Sequence, residues 1–431
     1  MKHFKLTFLL PALILVSVLR ATTTNLSIYR KQEEETIRYD HPIATPAPTK
    51  IAYAITISKC ESLDNNALQS APLLAHHVRA MSIQQTNRTK YDYQLYAFAS
   101  RTQVTTSCVT VLERMGYTVM LLNIPVHIPN ISNNFYKGLL ETNGCCGAHE
   151  FLKLYAYTLI KYPVVIHLDL DTMILQPLDD LIDYFVLRGP AKNMALSKLQ
   201  LMRPTNNTDN TNFQAMFTRD YQQVGTLGYA RHYQQVPVQG GFFAVRPNMT
   251  VFHELTTIVQ LANYTVTGGW GGIMNSQACW GDPQIQGLLG YYYSFVQPHQ
   301  GLELHHCYYN NILDNPTFNG TMCTISDLEE CPDCRITPPS QVKVSHPIFC
   351  HKPWSCPKWK QQQTFKRTSS CRWYLNKWYT TRQMVEEEWS VLQSWNKTIP
   401  RGDLMTDIFL GYCHDNRSVI PMDFTLSSLM S

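Results

Sequence analysis

The sequence predicts an α/β domain with a mostly parallel central sheet and helices on both faces. Three observations carry that reading: strand-like and helix-like segments alternate from Ile51 onward, the strand-like runs are apolar enough to be buried, and no repeat of roughly 20 to 50 residues is visible.

The elements follow in order. IAYAITISK (Ile51–Lys59) is a strand, and a helix is expected over Asp64–Ile83. YDYQLYAFAS (Tyr91–Ser100) is the second strand, Thr105–Met115 a helix, and YTVMLLNIPV (Tyr117–Val126) the third strand. The helix HEFLKLYAYTLI (His149–Ile160) leads into the strand PVVIHLDLD (Pro163–Asp171). QGGFFAVRP (Gln239–Pro247) is a further strand, feeding a helix over Met249–Ala262. Between them, Leu199–Pro237 is long, polar and sequon-bearing, which marks a binding loop or lid. Near the C-terminus Tyr374, Trp378, Thr381, Val385, Trp389 and Leu392 recur at helical spacing, a stripe expected to pack into the core.

Composition narrows the class. A chain of 431 residues, 44% apolar and 16% charged, is ordinary for a globular protein and excludes disorder for most of its length. A net charge of +4 without a basic block argues against a nucleic-acid partner. Behind Lys2 and Lys5, the fourteen uncharged residues Leu6–Leu19 suit a signal-peptide core better than the ~20 residues of a membrane span. Arg20 and a poor cleavage pattern leave a short signal-anchor as the other reading. The expected division is 1–20 signal peptide or short signal-anchor, 21–50 stem, 51–356 the α/β domain, and 357–431 a Cys/Trp-containing helical extension packed on it.

Both N-terminal readings make the rest lumenal or extracellular; the expected location is the secretory-pathway lumen, the Golgi in particular, as a type II membrane or secreted protein. Nine N-x-[ST] sequons agree, where composition alone gives about three or four. Thirteen cysteines are also many for a reducing compartment, and eight of them lie beyond Gly301. Cys331 and Cys334 in CPDC, and His305, His306 and Cys307 in HHCYYN, could serve a zinc or redox site; in an oxidising lumen structural disulfides are the expected reading. The vicinal Cys145 and Cys146 are expected to bond to different partners.

The stretch VVIHLDLDTMIL poses the chemical question. It is apolar enough for a buried strand, yet carries Asp169 and Asp171 where the run ends, and each buried charge costs several kcal/mol unless compensated. Residues i and i+2 of an extended segment point the same way, so both carboxylates can converge on one divalent cation. Far along the chain, HPIFCHKPW sets His346 six residues before Lys352. An imidazole beside two carboxylates favours Mn²⁺ somewhat over Mg²⁺, and an ammonium beside the metal would neutralise a diphosphate.

From about Ile51 to about Trp354 the chain resembles glycosyltransferase family 8, the glycogenin-like retaining enzymes. HLDLDTMIL is similar to the family's metal-binding D-x-D, FLKLYAYTL to the helix whose lysine reaches the donor, QGGFFAVRP to its N-x-G-v strand, and HPIFCHKPW to its H-x5-K-P-W motif. The order of the four is the family's order. The resemblance implies a GT-A type nucleotide-diphosphosugar transferase fold, a UDP-sugar donor, a glycan or glycoconjugate acceptor and a Mn²⁺ or Mg²⁺ cofactor. It implies Asp169, Asp171 and His346 as metal ligands, Lys352 and Lys153 on diphosphate and sugar, Gln239 and Gly241 at the donor, and Thr56, Ile57 and Ser58 at the nucleoside. Gln286 would stand in the catalytic D-Q motif.

The chain departs from the family at three positions. Phe349 replaces a glycine, Gln239 an asparagine, and Ile285 the acidic residue before Gln286, with Asp282 nearby. With no nucleophile at position 285, the expected retaining mechanism is front-face attack, the leaving phosphate taking the acceptor's proton. A catalytically inactive binding or scaffold protein, and a lumenal sugar-nucleotide hydrolase, are the alternatives.

Overall fold

The computed structural model describes residues 47–63, 65–142, 146–202, 212–221, 236–266, 268–272, 282–314, 332–348, 350, 352–354, 369–389, 413, 414, 418, 419, 422 and 424. Expectations for the N-terminal segment, Cys145, Cys331, Phe349, Leu392 and most of the 199–237 loop lie outside these residues.

Seven strands form one sheet. In chain order they are β1 (Lys50–Ile57), β2 (Asp92–Ser100), β3 (Tyr117–Leu122), β4 (Val165–Leu168), β6 (Ala215–Arg219), β7 (Val238–Val245) and β10 (Gly301–Glu303), while β5 (Met173–Ile174), β8 (Tyr264–Thr265), β9 (Gly269–Trp270) and β11 (Val344–Ser345) form two-stranded ladders outside it. Their spatial order is β10-β6-β7-β4-β1-β2-β3. β1 pairs in parallel with β2 and β4, β2 with β3, and β6 with β10; only β7 runs against its neighbours, β4 and β6. The sheet is therefore largely parallel, with one reversed strand that the sequence reading left among its fellows.

Side-chain alternation on the strands builds two cores, one per face. On β1, Ile51, Tyr53, Ile55 and Ile57 join the core that holds helix α1 (Asn66–Ala80), while Ala52 and Ala54 join the other. That second core packs Phe151, Leu152, Leu154 and Tyr157 against Val251, Leu255 and Val259 of the helix Met249–Leu261. A strand buried on both faces reads as a continuous apolar run, which is why these segments look so hydrophobic.

Two local differences from expectation shape the site. Helix His149–Ile160 is realised as a 3-10 helix over Gly147–Thr158, whose tighter winding eclipses residues i and i+3. β4 stops at Leu168, so Asp169 and Asp171 lie in the turn beyond it rather than on the strand itself.

The C-terminal helix Ser369–Glu388 lies against α1, with His77 Nε2 3.1 Å from Thr381 Oγ1. Its stripe Tyr374, Trp378, Thr381 and Val385 is buried. Disulfides join Cys60 to Cys108, Cys307 to Cys334 and Cys350 to Cys371. The expectation of a membrane protein is corrected: among the described residues no helix is long and apolar enough to cross a membrane.

Candidate functional site

Topology assembles the site. β2 and β3 lie on one side of β1 and β4 on the other, so the strand order switches between β1 and β4, the place where α/β sheets leave a crevice. Because β7 is antiparallel to β4, its beginning lies beside β4's end: Leu168 pairs with Phe242, and Asp169 donates its N–H to the Gly241 carbonyl at 2.9 Å. A short antiparallel ladder, β5 (Met173–Ile174) with β11 (Val344–Ser345), then brings the next residue, His346, back over the turn.

Oxygen atoms of Asp169 and Asp171 and a nitrogen of His346 lie within 4.8 Å of one another. The turn that gathers the carboxylates is closed by Thr172, which donates to the Asp169 carbonyl through both its N–H (3.1 Å) and its hydroxyl (2.7 Å). His346 Nε2 is 3.0 Å from Asp171 Oδ1, and Lys352 Nζ is ion-paired with Asp171 Oδ2. Burial alone would raise the Asp171 carboxyl, but the His346 and Lys352 charges outweigh it and hold the group well below the usual carboxylate range. Lys352 remains 40% exposed, so its ammonium faces the opening.

Lys153 sits on the inner side of the same pocket, 4% exposed. Its ammonium contacts Asp169 Oδ1 and Glu150 Oε2, each at 2.8 Å, and donates to the Gly240 carbonyl at 3.2 Å. Burial works against its charge, yet Asp169 and Glu150 more than compensate and raise its pKa. Burial also pushes the Glu150 carboxyl up, against the pull of Lys153.

The start of β7 is fitted to the histidine. A Cβ on Gly241 would stand 2.1 Å from His346 Cε1 and 2.5 Å from Nδ1, so only glycine admits the imidazole there. Gln239 Oε1 accepts from the Gly241 N–H at 2.7 Å and from Asn310 Nδ2 at 3.1 Å. Gln286 Oε1 accepts from the Gly240 N–H at 2.9 Å. Gln239 and Gln286 thus hold the β7 backbone through their amide oxygens.

The segment expected at the nucleoside, Thr56–Ser58, is split by alternation. Ile57 is 1% exposed and belongs to the core, while Thr56 and Ser58 are partly exposed. Thr56 Oγ1 lies 2.9 Å from His167 Nε2, which ties the end of β1 to the strand leading into Asp169.

Ile285 is also in the core, at 1% exposure. Asp282 lies just ahead of the helix Ile285–Tyr291 and accepts from the Gln284 N–H at 3.0 Å. Burial raises its carboxyl, while hydrogen bonds from Gln284 and Gln286 and the charge of Lys153 pull the other way. The sequence-nearest acid is therefore held by the backbone just ahead of that helix, whose N-cap is Gln284, and it feels the charge of Lys153.

Two carboxylate oxygens and a buried imidazole form a donor set suited to a divalent cation. The fit has a second mark: His346 is 2% exposed, and its Nδ1 has no hydrogen-bond partner among the described residues, so its Asp171-facing Nε2 is the polar contact that anchors the ring.

No family model matches the chain, and no curated protein matches it in sequence. Among solved structures, galactosyltransferase LgtC in complex with donor and acceptor sugar analogs is 12% identical over 79% of this chain and 99% of its own, with a TM-score of 0.42. Mouse xyloside xylosyltransferase 1 is 12% identical over 69% of this chain and 98% of its own, at a TM-score of 0.38. The WbbM bifunctional glycosyltransferase gives 12% identity and a TM-score of 0.39, covering 77% of this chain, which spans 50% of that protein. At identities and TM-scores this low, each is a likeness to a solved structure and no more.

Sequence reasoning missed Glu150 and the Gly240 carbonyl. The first had a signal: Glu150 and Lys153 are three apart on a helical segment, a spacing at which opposite charges meet. The second had none, because a backbone acceptor carries no residue-type mark.

Proposed function

We propose that the chain is a metal-dependent retaining glycosyltransferase that moves a sugar from a UDP-sugar to a glycan or glycoconjugate acceptor in the secretory-pathway lumen. The observation that carries this reading is the meeting of Asp169, Asp171, His346, Lys352 and Lys153 at the switch point of the sheet. The sequence resemblance to family 8 supports it. The disulfides, and the exposed sequon residues Asn87, Asn130 and Asn263, support the lumenal setting. The division into a catalytic domain at 51–356 and an extension at 357–431 belongs to the same proposal.

Asp169, Asp171 and His346 would hold the cation, Mn²⁺ by the mixed oxygen and nitrogen donors. When bound, the cation supplies positive charge to the donor's diphosphate. Both lysines are tied to those carboxylates in this structure, so engaging the carboxylates elsewhere releases them. Lys352, the more exposed, then faces the diphosphate, and its charge counts most as the anomeric C–O bond breaks and negative charge grows on the leaving oxygen. Lys153 keeps Glu150 and the Gly240 carbonyl and presents its remaining donor capacity toward the sugar. With Ile285 in the core and Asp282 engaged by hydrogen bonds from Gln284 and Gln286, the residues favour front-face attack, the acceptor's proton passing to the leaving phosphate.

Ile285 gives the inactive-scaffold reading its support, since the position where the family resemblance implies an acid is buried and apolar. UDP release in the presence of Mn²⁺, with and without candidate acceptors, separates the readings. Acceptor-dependent release is expected of the transferase, acceptor-independent release would identify a hydrolase, and none across a broad donor panel would favour the scaffold.

A further inference from the structure

A second cluster, joined to the first through Asn311, lies where the chain turns back on itself after β10. The short helix His306–Tyr309 presents His306 and Cys307, and Leu313, in the left-handed region at φ 61°, reverses the chain so that Asp314 returns over them. Asn311 ties the pieces together. Its Nδ2 donates to the carbonyls of Cys307 (3.0 Å) and Cys334 (3.1 Å), its Oδ1 accepts from the Leu313 N–H (2.9 Å), and Cys334 N–H reaches the Asp314 carbonyl at 3.0 Å.

The chemistry of this cluster is incomplete as it stands. Asp314 is 1% exposed, and among the described residues neither carboxylate oxygen accepts a hydrogen bond. Its nearest cationic candidate is His306 Nε2, 3.5 Å from Oδ2, too long for a good hydrogen bond. A buried carboxylate left so costs several kcal/mol, so this one calls for a cation. His306 Nε2 is also 3.9 Å from Cys307 Sγ, and ligand atoms of His306, Asp314 and Cys334 all lie within 4.8 Å of one another.

We propose that His306, Cys307, Asp314 and Cys334 form a tetrahedral Zn²⁺ site in the reduced chain, for which the Cys307–Cys334 disulfide is the oxidised alternative. With Zn–S near 2.3 Å and Zn–N or Zn–O near 2.0–2.2 Å, a tetrahedron separates its N and O ligands by about 3.4 Å and its N and S ligands by about 3.6 Å. The 3.5 Å and 3.9 Å separations already approach those values, so the His306 ring needs little movement. The disulfide sulfurs must part, which requires reduction. A dithiol gives up two electrons and two protons, the S–S bond breaks to two thiols, and the dithiol closes to its cyclic disulfide. Both thiols then lose their protons on binding Zn²⁺. The histidine is neutral and three ligands are anionic, so the dication leaves one net negative charge in place of an uncompensated carboxylate.

The full-length chain tests this with Zn²⁺ alone as the probe. After treatment with a dithiol and Zn²⁺, then desalting, the reduced protein should retain one more equivalent of Zn²⁺ than the oxidised protein. Cys334→Ser should lose that equivalent, Asp314→Asn should weaken it at least tenfold, and Asp171→Asn should keep it, which separates the site from the donor pocket. Equal Zn²⁺ in reduced wild type and Cys334→Ser would overturn the proposal. Should that variant not fold, zinc X-ray absorption on the reduced wild type decides. A first shell of two sulfurs with two lighter donors is expected, and a shell without sulfur or with four sulfurs refutes the assignment.

Discussion

Replacing Gly241 by alanine probes the proposed metal centre without substituting a ligand. Gly241 is not in the left-handed region, so alanine meets no backbone penalty there, and the effect is confined to the new methyl group. That methyl would stand 2.1 Å from His346 Cε1, against the 3.4 Å at which ordinary contact begins, so the ring must recede by about 1.3 Å. It has little room to do so: His346 is 2% exposed, and its N–H is bonded to the Asn311 carbonyl at 2.8 Å. Overpacking of this kind destabilises by about 1–3 kcal/mol. A ligand displaced by an ångström should lower metal affinity and donor turnover by about 10- to 100-fold. Titrating donor turnover with Mn²⁺ in both proteins gives the affinity, and thermal unfolding gives the stability. If Gly241→Ala responds to Mn²⁺ within twofold of wild type, His346 is not a ligand in this geometry.

Other substitutions bear on the remaining groups. Lys352→Ala should lower kcat/KM by about 2–4 kcal/mol of transition-state stabilisation and, by removing one of the two charges that compensate buried Asp171, should also lower the melting temperature of the metal-free protein; unaltered kinetics would remove it from the site. Asp171→Asn should abolish metal-dependent turnover. Because its carboxyl is held below the unfolded value, Asp171 contributes stability above about pH 4 that is lost as pH falls, so the metal-free variant should show a flatter acid limb than wild type in thermal melts between about pH 2 and 4. His77 is pushed down to about 3 by burial, helped by the His76 and Lys377 charges. The unfolded chain therefore binds the extra proton first, stability declines as pH falls from about 6.5 toward 3, and His77→Gln should lessen that decline in pH-dependent melts. Glycosidase treatment of protein from a secretory host should reduce its mass through glycans at Asn87, Asn130 and Asn263, and no change in mass would count against the lumenal setting.

Much of the fold was legible because buried strands announce themselves: β1, β2 and β4 read as apolar runs that the two cores require. The direction of β7 was not. Gln239–Val245 has the same composition whichever way it runs, and its reversal depends on which neighbours it meets. The D-x-D motif was visible as a pair, but its convergence comes from the Thr172-closed turn rather than from the strand pleat that spacing suggested. His346 and Lys352 could be matched to it only through resemblance, since the β5–β11 ladder joining them to Asp171 spans more than 150 residues of sequence. Ile285 was flagged as a departure, but its burial, and the engagement of Asp282 by the Gln284 N–H, required coordinates. Asp314 carried no sequence signal at all, because an unpaired buried carboxylate is recognised only by what fails to surround it.

The binding of UDP in the presence and absence of Mn²⁺ is the most direct test of the proposed metal-dependent donor site. If Asp169, Asp171 and His346 hold a cation that neutralises a diphosphate, UDP with Mn²⁺ should raise the melting temperature in a dose-dependent way, by mass action on the native state. The increase should vanish with a chelator and in Asp171→Asn. Equal protection by UDP with and without the metal would contradict a metal-dependent donor site.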